Sequence, residues 1–151
     1  MSTYPDFGAA RAPVAAAARP TDDELLVMSE ADARVEQARQ AVETAIRARL
    51  AASERANAIE ARELEEAVPA GVRFGNLIPG RGYHRGPRLE QALDEVEHCK
   101  VQVQDAKDAF ERAERTTREA HARASASRAA RRATADAAYQ KKYAAPRKGA
   151  A

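Results

Sequence analysis

Residues 89–127, LEQALDEVEHCKVQVQDAKDAFERAERTTREAHARASAS, repeat in sevens. Leu89, Val96, Val103, Phe110, Thr117 and Ala124 fall on one line, and Ala92, Cys99, Ala106, Ala113, Ala120 and Ser127 fall on a second line three residues later. Two lines spaced three and four residues apart merge into one stripe on an α-helix, the pattern of a coiled-coil seam. Gly86 followed by Pro87 suits the entry to this helix, because proline has no amide hydrogen to leave unsatisfied at a first helical position. Pro146 stops it, so the predicted helix spans 88–144.

A second repeat lies upstream. Thr21-Asp22-Asp23-Glu24 has the form of a capping box, in which the Thr21 hydroxyl and the Glu24 carboxylate satisfy first-turn amides. From there Met28, Val35 and Val42 make one line and Ala31, Ala38, Ala45, Ala52 and Ile59 the other. Arg49 interrupts the first line, and Ile46 and Leu50 are expected to take over with a four-residue shift that moves the stripe around the helix. Val68-Pro69-Ala70-Gly71 ends the segment, giving a helix over 21–67. Within it, Ala, Glu, Arg and Leu supply 31 of 47 residues, above the roughly half that marks long helices.

Between the helices, residues 68–87 hold five glycines and three prolines, a true break. Residues 1–20 carry Pro5, Pro13 and Pro20 among small side chains, which predicts an extended N-terminal arm. Residues 145–151 form a basic C-terminal tail. The expected fold is all-α: a long antiparallel two-helix coiled-coil hairpin with a Gly/Pro-rich connecting loop and extended terminal arms. Charge supports the antiparallel sense. Residues 21–67 carry twelve acids against six arginines, whereas 121–151 carry eight bases against Asp136 alone.

The apolar content is a constraint on function. Leu, Ile, Val and Phe number only 22 of 151, and alanine buries little per residue, so such a hairpin is expected to need a partner or self-association. The connecting loop is one candidate docking surface: Phe74, Leu77, Ile78 and Tyr83 are too apolar for a passive linker, and Arg81 and Arg85 add positive charge. The basic segment is the other, with Arg131, Arg132, Lys141 and Lys142 beside Tyr139 and Tyr143, which could meet phosphates, bases or an acidic protein.

Catalytic signals are sparse. His84, His98 and His121 are scattered, no HExxH or CxxC spacing occurs, and no catalytic, cofactor-binding or metal-binding residue is assigned. Cys99 sits on the heptad seam, where a buried thiol is the expected role. A single cysteine excludes an intramolecular disulfide and favours a reducing compartment. No stretch reaches the length of a membrane span. The expectation is a non-enzymatic structural or assembly protein, cytoplasmic or incorporated into a virion or other large assembly, docking on neighbouring protein subunits or on itself. The alternatives are a nucleic-acid-binding accessory protein acting through 121–151, and a scaffold or chaperone for a client protein.

Overall fold

A computed structural model describes residues 7–67 and 86–143, with side chains from Arg11 onward. The described residues form three helices: α1 (Phe7–Ala17), α2 (Asp22–Ala67) and α3 (Pro87–Tyr143). No strand occurs among the described residues, and the protein is all-α with two long helices, as a helical hairpin requires. The expected connecting loop, 68–85 of it, and the C-terminal tail lie outside the described residues.

The capping box forms in both directions. The Thr21 amide donates to Glu24 Oε2 at 3.1 Å, and the Glu24 amide donates to Thr21 Oγ1 at 3.2 Å. The Leu25 amide then donates to the Thr21 carbonyl at 3.0 Å, the first bond of the helical ladder. α3 starts at Pro87, with the Glu90 amide on the Gly86 carbonyl at 3.1 Å. The Gly86 amide donates to Glu63 Oε2 at 3.0 Å, tying the end of α2 to the start of α3.

The chain divides into two units. The middle unit holds α2 from Glu36 and α3 up to Arg112; the terminal unit holds α1, α2 up to Val35 and α3 from Ala113. In the middle unit, Glu63 meets Gly86 and Arg55 meets Glu95 at 2.5 Å, so numbers rise along α2 as they fall along α3. Among its described residues the buried ones are Ala52, Ala56, Leu89, Ala92, Cys99 and Val103. These lie on the heptad lines, Ala56 by continuing the first line past Arg49.

The middle unit corrects one detail of the sequence reading. Ile46 and Leu50 are exposed, whereas Ala52, Ala56 and Ile59 are covered, so the stripe keeps its register past Arg49 and does not shift. An arginine can lay its stem along the helix and carry its head to water. A single such interruption disturbs the seam less than rotating the remaining turns would.

In the terminal unit, Glu24 meets Arg131, Asp32 meets His121 at 3.0 Å, and Thr117 Oγ1 donates to the Ala31 carbonyl at 3.1 Å. The direction is again opposed. Only Ala31 and Ala124 are buried among its described residues. Polar contacts therefore specify this end to an unusual degree.

The terminal unit also corrects the N-terminal arm, because Phe7–Ala17 is helical and not extended. Pro5 and Pro20 flank the helix, and Pro13 alone lies inside it. An interior proline costs about 3 kcal/mol, and eleven residues are too few for a stable isolated helix. Alanine has the highest helix propensity and offsets part of this. Docking supplies more: Val14 and Ala17 are half-buried, and the Arg11 guanidinium lies 6.0 Å from the centre of the Tyr139 ring.

Candidate partner-binding surfaces

Phe74, Leu77, Ile78, Arg81, Tyr83 and Arg85, the expected docking loop, lie outside the described residues. The structure places the other six expected contact residues, Arg131, Arg132, Tyr139, Lys141, Lys142 and Tyr143, at the end of α3 in the terminal unit. They divide into two groups with different surroundings.

Arg131 is engaged within the fold. Its Nη1 and Nη2 donate to the two Glu24 oxygens at 2.6 and 3.0 Å, Nη1 also to Ser127 Oγ at 2.8 Å, and Nη2 also to the Arg19 carbonyl at 3.1 Å. One guanidinium thus joins α3, the start of α2 and the turn that follows α1. The two donated bonds lower the Glu24 pKa from its ordinary 4.5 to about 2, and the same pairing raises that of Arg131. Both residues extend the heptad lines by one step: Glu24 precedes Ala31 by seven, and Arg131 follows Ala124 by seven.

Other arginines of α3 are also answered by carboxylates. Arg118 lies 3.1 Å from Glu114, Arg123 lies 3.6 Å from Glu119, and Arg132 lies 3.8 Å from Asp136. Such exposed pairs contribute little to stability. They do soften the positive field that the bare charge count suggests.

Beyond Arg132 the surface changes character. The Tyr139 and Tyr143 rings pack with centroids 4.8 Å apart, and Lys142 Nζ lies 5.3 Å from the centre of Tyr143. Tyr139 is half-buried under α1, whereas Lys141, Lys142 and Tyr143 are exposed. An open groove of about 760 Å³ between α1 and α3 is lined by Arg11, Val14, Ala18, Arg132, Asp136 and Tyr139.

The sequence reading missed an apolar surface on α2. Leu25, Leu26 and Val27 are all exposed, as are Ile46, Leu50 and Val101 in the middle unit. Three consecutive apolar residues span about 200° of a helix, so they cannot all face one seam. That signal was present in the sequence.

Among groups with chemical potential, His98 Nε2 lies 3.0 Å from Gln102 Nε2, and His121 Nε2 lies 3.0 Å from Asp32 Oδ1. Cys99 is buried. Among the described residues no three His, Cys, Asp or Glu side chains are grouped to hold a metal ion, and no helix is long and apolar enough to cross a membrane. No protein-family model matches the chain, and no curated protein and no solved structure matches it either.

Proposed function

We propose that the chain is a non-enzymatic assembly protein, a two-helix coiled coil that docks on neighbouring protein subunits of a larger complex. The observation that carries this reading is the distribution of apolar side chains. Of the eight buried apolar residues among those described, five are alanine, while Leu25, Leu26, Val27, Ile46, Leu50 and Val101 stand in solvent. A fold that buries alanine and exposes leucine gains from a partner that covers the larger side chains.

A protein partner fits better than nucleic acid. Three arginines of the basic segment, Arg123, Arg131 and Arg132, already have carboxylates within 4 Å, and phosphates would have to displace them. The single cysteine suits a cytoplasmic setting or a particle assembled there, and a virion is one assembly of that kind.

The test is cross-linking in the source cell, followed by isolation of the chain. The expected result is a stoichiometric complex with other protein subunits, lost when Phe74, Leu77 and Ile78 are replaced together by serine while the helical circular-dichroism signal persists. Recovery of the chain alone, or only with nucleic acid that nuclease releases, would overturn the proposal.

A further inference from the structure

The terminal unit carries two exposed patches of opposite charge, each built around apolar or aromatic side chains. The first is on α2. Leu26 is 59% exposed and Val27 54% exposed. Asp22 and Glu30 stand one helical turn before and after Leu26, Asp23 stands one turn before Val27, and all three acids are exposed. The second patch is the end of α3, where Tyr143 is 53% exposed with Lys142 over its ring and Lys141 beside it.

The two patches cannot meet within one copy. Arg131 is level with Glu24, and α2 and α3 run in opposite directions there. Tyr143 therefore lies twelve residues beyond that level on one side, while Leu26 and Val27 lie two to three residues beyond it on the other. At 1.5 Å per residue the patches are about 20 Å apart along the helices.

We propose that the terminal unit docks on the terminal unit of a second copy, forming a two-fold dimer in which each Lys141-Lys142-Tyr143 end covers the partner's Leu26-Val27 face. A two-fold axis makes a surface meet itself, so two complementary patches on one unit produce two equal contacts. The separation suits this arrangement: the ends of the two α3 helices overlap antiparallel over about fifteen residues. Lysines meet the aspartates and Glu30 at the rim, and tyrosine meets leucine and valine at the centre, the usual division of labour in an interface. The unit needs such cover, since Ala31 and Ala124 are its only buried described residues. This inference rests on the assembly reading and names a second copy as one partner.

The experiment is sedimentation velocity on the full chain up to about 100 μM, near the weak end of specific association. Wild type is expected to dimerise. Lys141→Glu with Lys142→Glu should weaken the dimer at least about tenfold, and so should Asp23→Lys with Glu30→Lys. An equimolar mixture of the two variants should dimerise again, because both contacts then join opposite charges. A wild-type monomer across the range, a charge variant that dimerises like wild type, or a mixture that stays monomeric overturns the proposal. If Asp23→Lys with Glu30→Lys loses helicity, Leu26→Ser with Val27→Ser takes its place beside the α3 variant, and full dimerisation by either refutes it. A monomeric wild type leaves the assembly reading to the cross-linking result, so the two failures are distinguishable.

Discussion

Two leucines separate the observed register from the shifted one that the sequence suggests. Leu89 on α3 is 1% exposed, whereas Leu50 on α2 is 57% exposed. Leu→Ala at either site makes the same chemical change and gains the same small helix propensity, so the difference between the two reports burial. At Leu89 the change removes buried carbon and leaves a cavity, for which measured costs run about 2–5 kcal/mol. A site between only two helices can collapse partly, which puts the expected loss at about 2–3 kcal/mol. At Leu50 most of the side chain is already in water, and the loss should be below about 0.5 kcal/mol. A difference of 2 kcal/mol is roughly a 30-fold change in the ratio of folded to unfolded chains. Urea titration at fixed protein concentration, followed by circular dichroism at a helical band, measures both variants. Equal losses, or a larger loss at Leu50→Ala, would mean that the stripe does shift at Arg49 and would refute the register described above.

Four other outcomes follow. Glu24 has its pKa lowered by the Arg131 bonds, so the stability it contributes is fully present above its ordinary pKa of 4.5 and is lost as pH falls toward about 2. Acid titration of wild type should show that loss, and Glu24→Gln should flatten it; identical acid transitions would contradict the linkage. Thr21→Ala removes the capping hydroxyl at 3.2 Å from the Glu24 amide and should cost about 1 kcal/mol in a urea titration, whereas no loss would mean that the cap contributes nothing. Thr117→Val keeps the shape but removes the bond to the Ala31 carbonyl, for an expected loss of about 0.5–1.5 kcal/mol in the same measurement. At Gly86 an added Cβ would sit 2.5 Å from Glu63 Oε1, the end of a flexible side chain, so Gly86→Ala should displace that carboxylate and cost about 1 kcal/mol without blocking folding.

Local rules were legible in the sequence, and docking was not. The capping box needs only residues three apart, and Thr21 with Glu24 forms it as the spacing predicts. The same holds for the i,i+4 pair Glu43 and Arg47, which meet at 3.4 Å. The heptad lines of 89–127 correspond to covered positions nearly throughout, with Ser127 exposed at the end. α1 is not legible locally, because Pro13 signals a break within its own window while the surface of α3 that receives Val14 and Arg11 is more than a hundred residues away in sequence. Arg49 suggests a shift that does not occur, because periodicity records apolar residues and not the reach of an arginine stem. Charge count alone makes Arg131 an outward contact, whereas continuing each heptad line by seven residues places Glu24 and Arg131 on the stripe.

That placement gives the ion pair a role beyond its modest contribution to stability. A stripe of alanines offers similar shapes at every heptad, so packing alone discriminates weakly between one register and the next. In the terminal unit, sliding α3 by seven residues in one direction would set Arg131 against Ala31, and in the other would set Glu24 against Ala124. Either slip separates the two guanidinium bonds and leaves a charge against a methyl group. Partly shielded charges are expensive when they lose their partner, even where the pair itself adds little. Glu24 and Arg131 thus fix which alanines meet, and with that they fix how far Tyr143 extends past the start of α2. The overhang on which the proposed dimer depends is set by this salt bridge together with the Thr117 bond to the Ala31 carbonyl and the contact of His121 with Asp32. Glu24→Gln should therefore loosen dimerisation as well as stability.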